Sequence, residues 1–313
     1  MPKAPAPSTD APSVPLREAP KAKIAKQSDA LTGTALSETT DTVNALWYGK
    51  SGTGKTTALA ALANLGPVVI INAEGGLKRR PLQNRGIDVS NIEVFTLADY
   101  DRKYECLESV FWNLKARLDD DPTSIVGVCW DSITEIHKVL IRESIDTRVA
   151  KATATGRGSD DPFFIDRSDY GVMTEQMRIL IRRYRDLPCH FGVTALERRE
   201  VDQEDGRVTY GPAITPAIAN DLFGYMDIVC HSETLDDEYV GRFNSIGKYE
   251  AKDRFDALPR TLAQPWFDRV VAYVNDELTD ATDPIQLAIR ERIANSKTPA
   301  ATTAVGDTTT DPA

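Results

Sequence analysis

Gly49-Lys50-Ser51-Gly52-Thr53-Gly54-Lys55-Thr56 is the stretch on which the reading of the fold turns. It satisfies the pattern G-x-x-x-x-G-K-[ST], and its flanks have the required form. Asn44 to Tyr48 reads as the strand before it, and Thr57 to Ala63 as the start of the helix after it. Glycines at these places let the backbone wrap closely, so that successive N–H groups and the helix N-terminus converge on phosphate oxygens. The expected phosphate-binding set is Gly49, Lys50, Ser51, Gly52, Thr53, Gly54, Lys55, Thr56 and Thr57. Lys55 is expected to neutralise the outer phosphates and the Thr56 hydroxyl to hold Mg²⁺.

Working outward, short apolar runs alternate with amphipathic stretches. Strands are expected at Asn44 to Tyr48, Val68 to Asn72, Ile92 to Leu97, Ile125 to Trp130, Cys189 to Ala195 and Asp227 to Ser232. Helices are expected at Lys55 to Asn64, Tyr104 to Leu118, Ile133 to Ile145, Gly171 to Arg185 and Pro216 to Gly224. That alternation predicts an α/β fold with a mainly parallel sheet flanked by helices, and functional residues at the carboxyl ends of strands. From about Glu238 the segments become polar and closely spaced, which predicts an antiparallel C-terminal extension.

Two carboxylates stand where such a sheet would place them. Ile125-Val-Gly-Val-Cys-Trp-Asp131 is an apolar strand ending in an acid, suited to the metal site through a bound water; capping of the helix that follows is the plainer role, which Ser132 also suits. Glu74 leaves the tip of Val68-Val-Ile-Ile-Asn-Ala-Glu74 and is followed by Gly75 and Gly76, which permit close approach. It suits a general base or water-orienting group, against the alternative of a surface loop contact.

The order of these pieces resembles the core of the RecA-like recombinases. A phosphate-loop strand and helix, a strand ending in Asn-Ala-Glu, a third strand and then an apolar strand ending in Asp131-Ser132 carry the likeness, over roughly residues 43 to 260. The resemblance implies an ATP- and Mg²⁺-dependent ATPase with Glu74 as its catalytic carboxylate. It also implies a sensor ending the strand between those of the phosphate loop and Asp131, for which Thr194 and Glu197 are the candidates; the Gln usual there is missing. Lys248-Tyr-Glu-Ala-Lys252-Asp-Arg254 looks like the Lys/Arg element of compact phage-encoded RecA-like ATPases of recombination and single-strand annealing. On a strand, Lys252 and Arg254 share a face. They read as a γ-phosphate sensor, as a catalytic finger into a neighbouring subunit of a ring or filament, or as charges guarding an edge strand; the resemblance favours the finger.

Composition limits the substrate more than it names it. The 313 residues carry a net charge of −10, so nucleic acid would have to meet a local basic track against a repulsive global field. Six of the 18 prolines fall in the first 20 residues, and residues 1–40 read as a disordered arm, 41–295 as the ATPase domain and 296–313 as a second disordered tail. Four cysteines without C-x-x-C spacing predict buried thiols in a reducing cytoplasm, that of the host if the chain is phage-encoded. No apolar run reaches membrane-span length.

Two segments occupy the places of DNA-contacting loops in the family: Arg148 to Ser159, expected as a Gly/Thr-rich loop, and Arg198 to Tyr210, expected as a hairpin turning at Asp205-Gly206. Single-stranded DNA, a homo-oligomeric partner and a single-strand-binding protein therefore come from the resemblance. An AAA+-type helicase loader is disfavoured because Ser132 follows Asp131; an ATP-gated binding module without catalysis stays open.

Overall fold

The computed structural model describes residues 42–203, 206–245 and 247–297. The expected disordered arm (1–40), most of the expected tail and Asp205 of the expected turn lie outside them.

One sheet organises the described residues. Its parallel strands are β1 (Asn44–Gly49), β2 (Val68–Asn72), β3 (Ile92–Thr96), β4 (Gly127–Asp131), β5 (His190–Val201) and β7 (Ile228–Leu235), and β6 (Val208–Pro212), β8 (Glu238–Arg242), β9 (Lys252–Asp253) and β10 (Thr261–Ala263) pair antiparallel to their neighbours. The order is β10-β8-β7-β1-β5-β4-β2-β3, with β6 paired to β5 and β9 to β7. Helices α1 (Lys55–Ala60), α2 (Arg79–Gln83), α3 (Lys103–Asp120), α4 (Ile133–Thr155), α5 (Arg167–Arg185), α6 (Pro216–Tyr225), α7 (Phe267–Val274) and α8 (Pro284–Lys297) follow in chain order. The α/β fold with its mainly parallel sheet and antiparallel C-terminal strands is the one expected.

The central strands are apolar at nearly every position because both faces are covered. In β1, Leu46 and Tyr48 join a core with α3, α4, α5 and α6, while Ala45 and Trp47 join a second core with α1 and α7. β2 divides likewise, Val69 and Ile71 against Val68 and Ile70. Cys129, Cys189 and Cys230 are buried and Cys106 half-buried, and burial pushes the Cys106 thiol up to about 11. Among the described residues no helix is long and apolar enough to cross a membrane.

One boundary corrects the expectation with consequences for function. The helix expected to end at Ile145 runs to Thr155, where Gly156 takes φ 65° and closes it. Arg148 to Thr155 is thus helix, not the start of a loop. Arg148 lies under the following segment, its guanidinium pairing with buried Asp169 at 3.0 Å and donating to the carbonyls of Ser159 and Phe164. Asp169 also completes a capping box with Asp166 at the start of α5. A cation so engaged is not available to a phosphate backbone.

Candidate functional site

β1 ends at Gly49 beside Ser232 of β7, and a Cβ at Gly49 would overlap the Ser232 carbonyl oxygen, so only glycine lets the chain leave the sheet there. The loop then turns through left-handed Gly52 (φ 82°) and Gly54 (φ 80°) into α1. Thr53 Oγ1 donates to the Lys50 carbonyl at 2.9 Å, stiffening the turn from within. Lys55 is buried, and its ammonium donates to the carbonyls of Gly49 at 3.0 Å and Lys50 at 2.6 Å. Burial lowers its pKa, while the carboxylates of Glu74, Asp131 and Glu197 oppose the shift. Those three acids define the other side of the site.

Asp131 stands at the tip of β4, 1% exposed. Its Oδ2 accepts from Thr56 Oγ1 at 2.8 Å and its Oδ1 from Thr194 Oγ1 at 2.6 Å. The strand carrying Thr194, β5, lies between β1 and β4 in the sheet, which is how residues 56, 131 and 194 meet. Ser132, not Asp131, caps α4, its Oγ accepting from the Glu135 N–H at 3.4 Å. The Asp131–Ser132 peptide is cis. Glu74 is exposed, and its backbone N–H donates to the Asp131 carbonyl at 3.1 Å, so its chain position is fixed on β4 while its carboxylate remains free to face the loop. The donors beside the phosphate loop are all hard oxygens, a hydroxyl and a carboxylate, and this set suits Mg²⁺.

Glu197 and His231 form a buried pair that sequence reasoning finds only in part. Glu197 is a candidate sensor from the sequence, whereas no motif there includes His231. Their side chains meet at 2.8 Å, 9% and 3% exposed, flanking β1 where it enters the phosphate loop. Burial lowers the His231 pKa, and Glu197 and Glu233 oppose it. His231 also stacks on Tyr249 at 3.9 Å, and Tyr48 donates from its hydroxyl to the carbonyls of Tyr210 and Glu250. No pattern in the sequence links positions 197 and 231; only the parallel register of β5, β1 and β7 does.

Lys252 and Arg254 do not join this constellation. Lys252 pairs with Val229, three residues below the Ser232 level at which the phosphate loop begins, so about 10 Å of strand separates them. Its ammonium donates to the carbonyls of Phe223 (2.9 Å) and Met226 (2.7 Å) at the end of α6, and Arg254 pairs with Asp227 and the Gly224 carbonyl. The expectation of a γ-phosphate sensor within one subunit is therefore corrected: both cations sit toward the amino ends of the strands. The basic face of α5 is also engaged within the chain. Arg178 pairs with Asp221, Arg183 with Glu108 and Arg185 with Asp186, and Arg182 donates to the Tyr225 hydroxyl.

A family model described as an AAA domain matches residues 41–255. The chain belongs to that family. The matched span runs from the strand before the phosphate loop past Lys252 and Arg254, so every candidate above lies in the AAA domain. What the sequence disfavours is narrower, an AAA+-type helicase loader, because Ser132 follows Asp131. Ser132 caps α4, and the acid whose backbone is tied to the end of β4 is Glu74. Among solved structures, the crystal structure of the RadB recombinase aligns with a TM-score of 0.41 and 17% identity, over 66% of this chain and 84% of that chain. No curated protein matches the sequence.

Proposed function

We propose that this P-loop protein is a Mg²⁺-dependent, RecA-like ATPase that acts on single-stranded DNA in recombination or annealing. The observation that carries the ATPase reading is the Asp131 carboxylate held between the Thr56 hydroxyl of the phosphate loop and the Thr194 hydroxyl of β5. In that arrangement Lys55 and the N–H groups of residues 49–57 bind the phosphates. Thr56 and Asp131 would hold the metal, Asp131 through water, and Thr194 orients the Asp131 carboxylate. Bound Mg²⁺ supplies charge neutralisation at the outer phosphates. Glu74 orients the attacking water and accepts its proton. Glu197, beside the same loop and at the root of the β5–β6 hairpin, is suited to sense the outer phosphate through its contact with His231.

Single-stranded binding combines cations with aromatic platforms, and one place supplies both. Tyr210 of β6 and Tyr249, from the segment before β9, lie 5.4 Å apart with the Lys248 ammonium over both rings. The segment after α4 supplies only the aromatic part, with Phe163 89% exposed, because Arg148 beside Phe164 is engaged by Asp169. The assembly is a homo-oligomeric ring or filament in the cytoplasm, in which Lys252 and Arg254 act on a neighbour's nucleotide, and a single-strand-binding protein is a candidate partner. A salt titration of single-stranded DNA binding tests the nucleic-acid half. A log–log slope equivalent to several released counterions, reduced by Lys248→Ala, supports it; no binding at low salt with ATP and Mg²⁺ present removes it. The alternative reading is an AAA+-type helicase loader, for which DNA would leave ATP turnover unchanged.

A further inference from the structure

The β7–β8 hairpin places an aromatic ring on the phosphate loop that none of the chemistry above uses. Thr234 pairs with Tyr239 and Leu235 with Glu238 across a two-residue turn, Asp236-Asp237. Both aspartates adopt left-handed backbone, φ 47° and 64°, the conformation of the tight turn that suits hairpin twist but that non-glycine residues rarely adopt. Such strain persists only where the surroundings enforce it, and it clusters at ligand clamps. Here it fixes the register that carries Tyr239 two residues beyond the level of Ser232, hence above the sheet end where Gly49 enters the loop.

The ring packs on Gly54, where a Cβ would lie 2.9 Å from Tyr239 Cδ1. Trp266 supports it at 5.6 Å between centroids, and the Gln264 N–H donates to the Tyr239 carbonyl at 2.7 Å. The Arg85 guanidinium lies over the ring, 5.4 Å from its centroid, and donates to the Tyr239 hydroxyl at 3.0 Å. The ring is only partly buried and Arg85 is exposed.

The direction of a bound nucleotide follows from the sheet order. Asp131 and Thr194 lie on β4 and β5, to one side of β1, and draw the metal-bound outer phosphates that way; β7 and β8 lie on the other side. The nucleoside end of the ligand must then leave the loop toward Tyr239. We propose that Tyr239 is the stacking platform for the nucleobase, with Arg85 at its rim, so that this site takes a nucleoside triphosphate and not a bare polyphosphate. The inference rests on the nucleotide-site reading above.

Calorimetric titration with MgATP and with magnesium tripolyphosphate separates the two claims. Because base–aromatic stacking is lost with the ring, Tyr239→Ala is expected to weaken MgATP about tenfold or more while leaving tripolyphosphate affinity as in the unaltered protein. Tyr239→Phe, which keeps the ring, is expected to restore most of the MgATP affinity. Retained tripolyphosphate binding also certifies that the variant is folded. Unchanged MgATP affinity in Tyr239→Ala overturns the platform, as does an equal loss of both ligands, which would make the ring only a prop for the loop. If the unaltered protein binds neither ligand, the nucleotide reading itself fails and takes the platform with it; a Lys55→Ala variant that loses both while the unaltered protein binds them shows that reading to be intact.

Discussion

Thr194→Val replaces the hydroxyl in the most buried polar contact of the site with a methyl group and keeps the shape of the side chain. Thr194 is fully buried, and its hydroxyl gives the 2.6 Å hydrogen bond to Asp131 Oδ1. Asp131 is itself 1% exposed, so no solvent replaces the lost donor and one carboxylate oxygen is left without its partner. Hydrogen bonds to charged groups contribute about 1.5–3 kcal/mol, and leaving the acceptor unsatisfied incurs a desolvation penalty on the same scale. The nucleotide-free variant should therefore unfold in urea with about 2 kcal/mol less stability. The second consequence concerns the metal. A residue that orients a metal-binding carboxylate typically carries about 10–100-fold in metal affinity or activity, so the Mg²⁺ concentration needed for half-maximal ATP binding should rise within that range. Thr194→Ser, which keeps the hydroxyl, should recover both quantities in large part. If the valine variant matches the unaltered protein in stability and in Mg²⁺ dependence, Thr194 does not position Asp131 and the reasoning from that hydrogen bond is wrong.

Other outcomes follow from other contacts. Arg148→Ala should cost about 3 kcal/mol of stability by stranding buried Asp169, and leave the salt slope of DNA binding unchanged; a reduced slope with intact stability would restore the DNA-loop reading. His190 accepts the Val43 N–H at Nδ1, and burial lowers its pKa to about 4 from the usual 6.5 or so. Between those values the unfolded chain binds more protons than the folded one, so the contribution is whole above about pH 6.5 and is lost as pH falls toward 4, up to about 3 kcal/mol. Urea midpoints against pH should show that acid-side loss in the unaltered protein and a flatter profile in His190→Gln. Gly54→Ala should reduce nucleotide binding at least tenfold, since it adds a side chain at φ 80° against the Tyr239 ring; a titration showing undiminished affinity would contradict the packing described.

What could be read from the sequence was local. Residues 49–57 carry their chemistry in consecutive positions, and Val68 to Asn72 or Gly127 to Asp131 announce themselves as strands by apolar residues on both faces. The positions of Asp131 and Glu74 are legible because one ends such a strand and the other lies two residues past one. The end of α4 was not, because Ala150 to Gly158 has the Gly/Thr-rich composition of a loop, and the contact that fixes its helix, Arg148 with Asp169, spans 21 residues. Choosing between Thr194 and Glu197 required the register of β5 against β4, which puts residue 194 at the Asp131 carboxylate and residue 197 at His231. Lys252 and Arg254 had the expected spacing, but spacing does not say which end of the sheet a strand lies at. Tyr239 and Arg85 bore no signal, since an aromatic in a hairpin and an arginine in a loop are ordinary until the fold brings both over Gly54.

The central claim, that this site hydrolyses ATP with Glu74 as its water-orienting carboxylate, is tested most directly by ATP turnover and ATP binding measured together in Glu74→Gln. The expected result is Mg²⁺-dependent turnover in the unaltered protein, raised by single-stranded DNA, and turnover reduced by at least a hundredfold in the variant with ATP still bound. An equal turnover rate in the two proteins would contradict it.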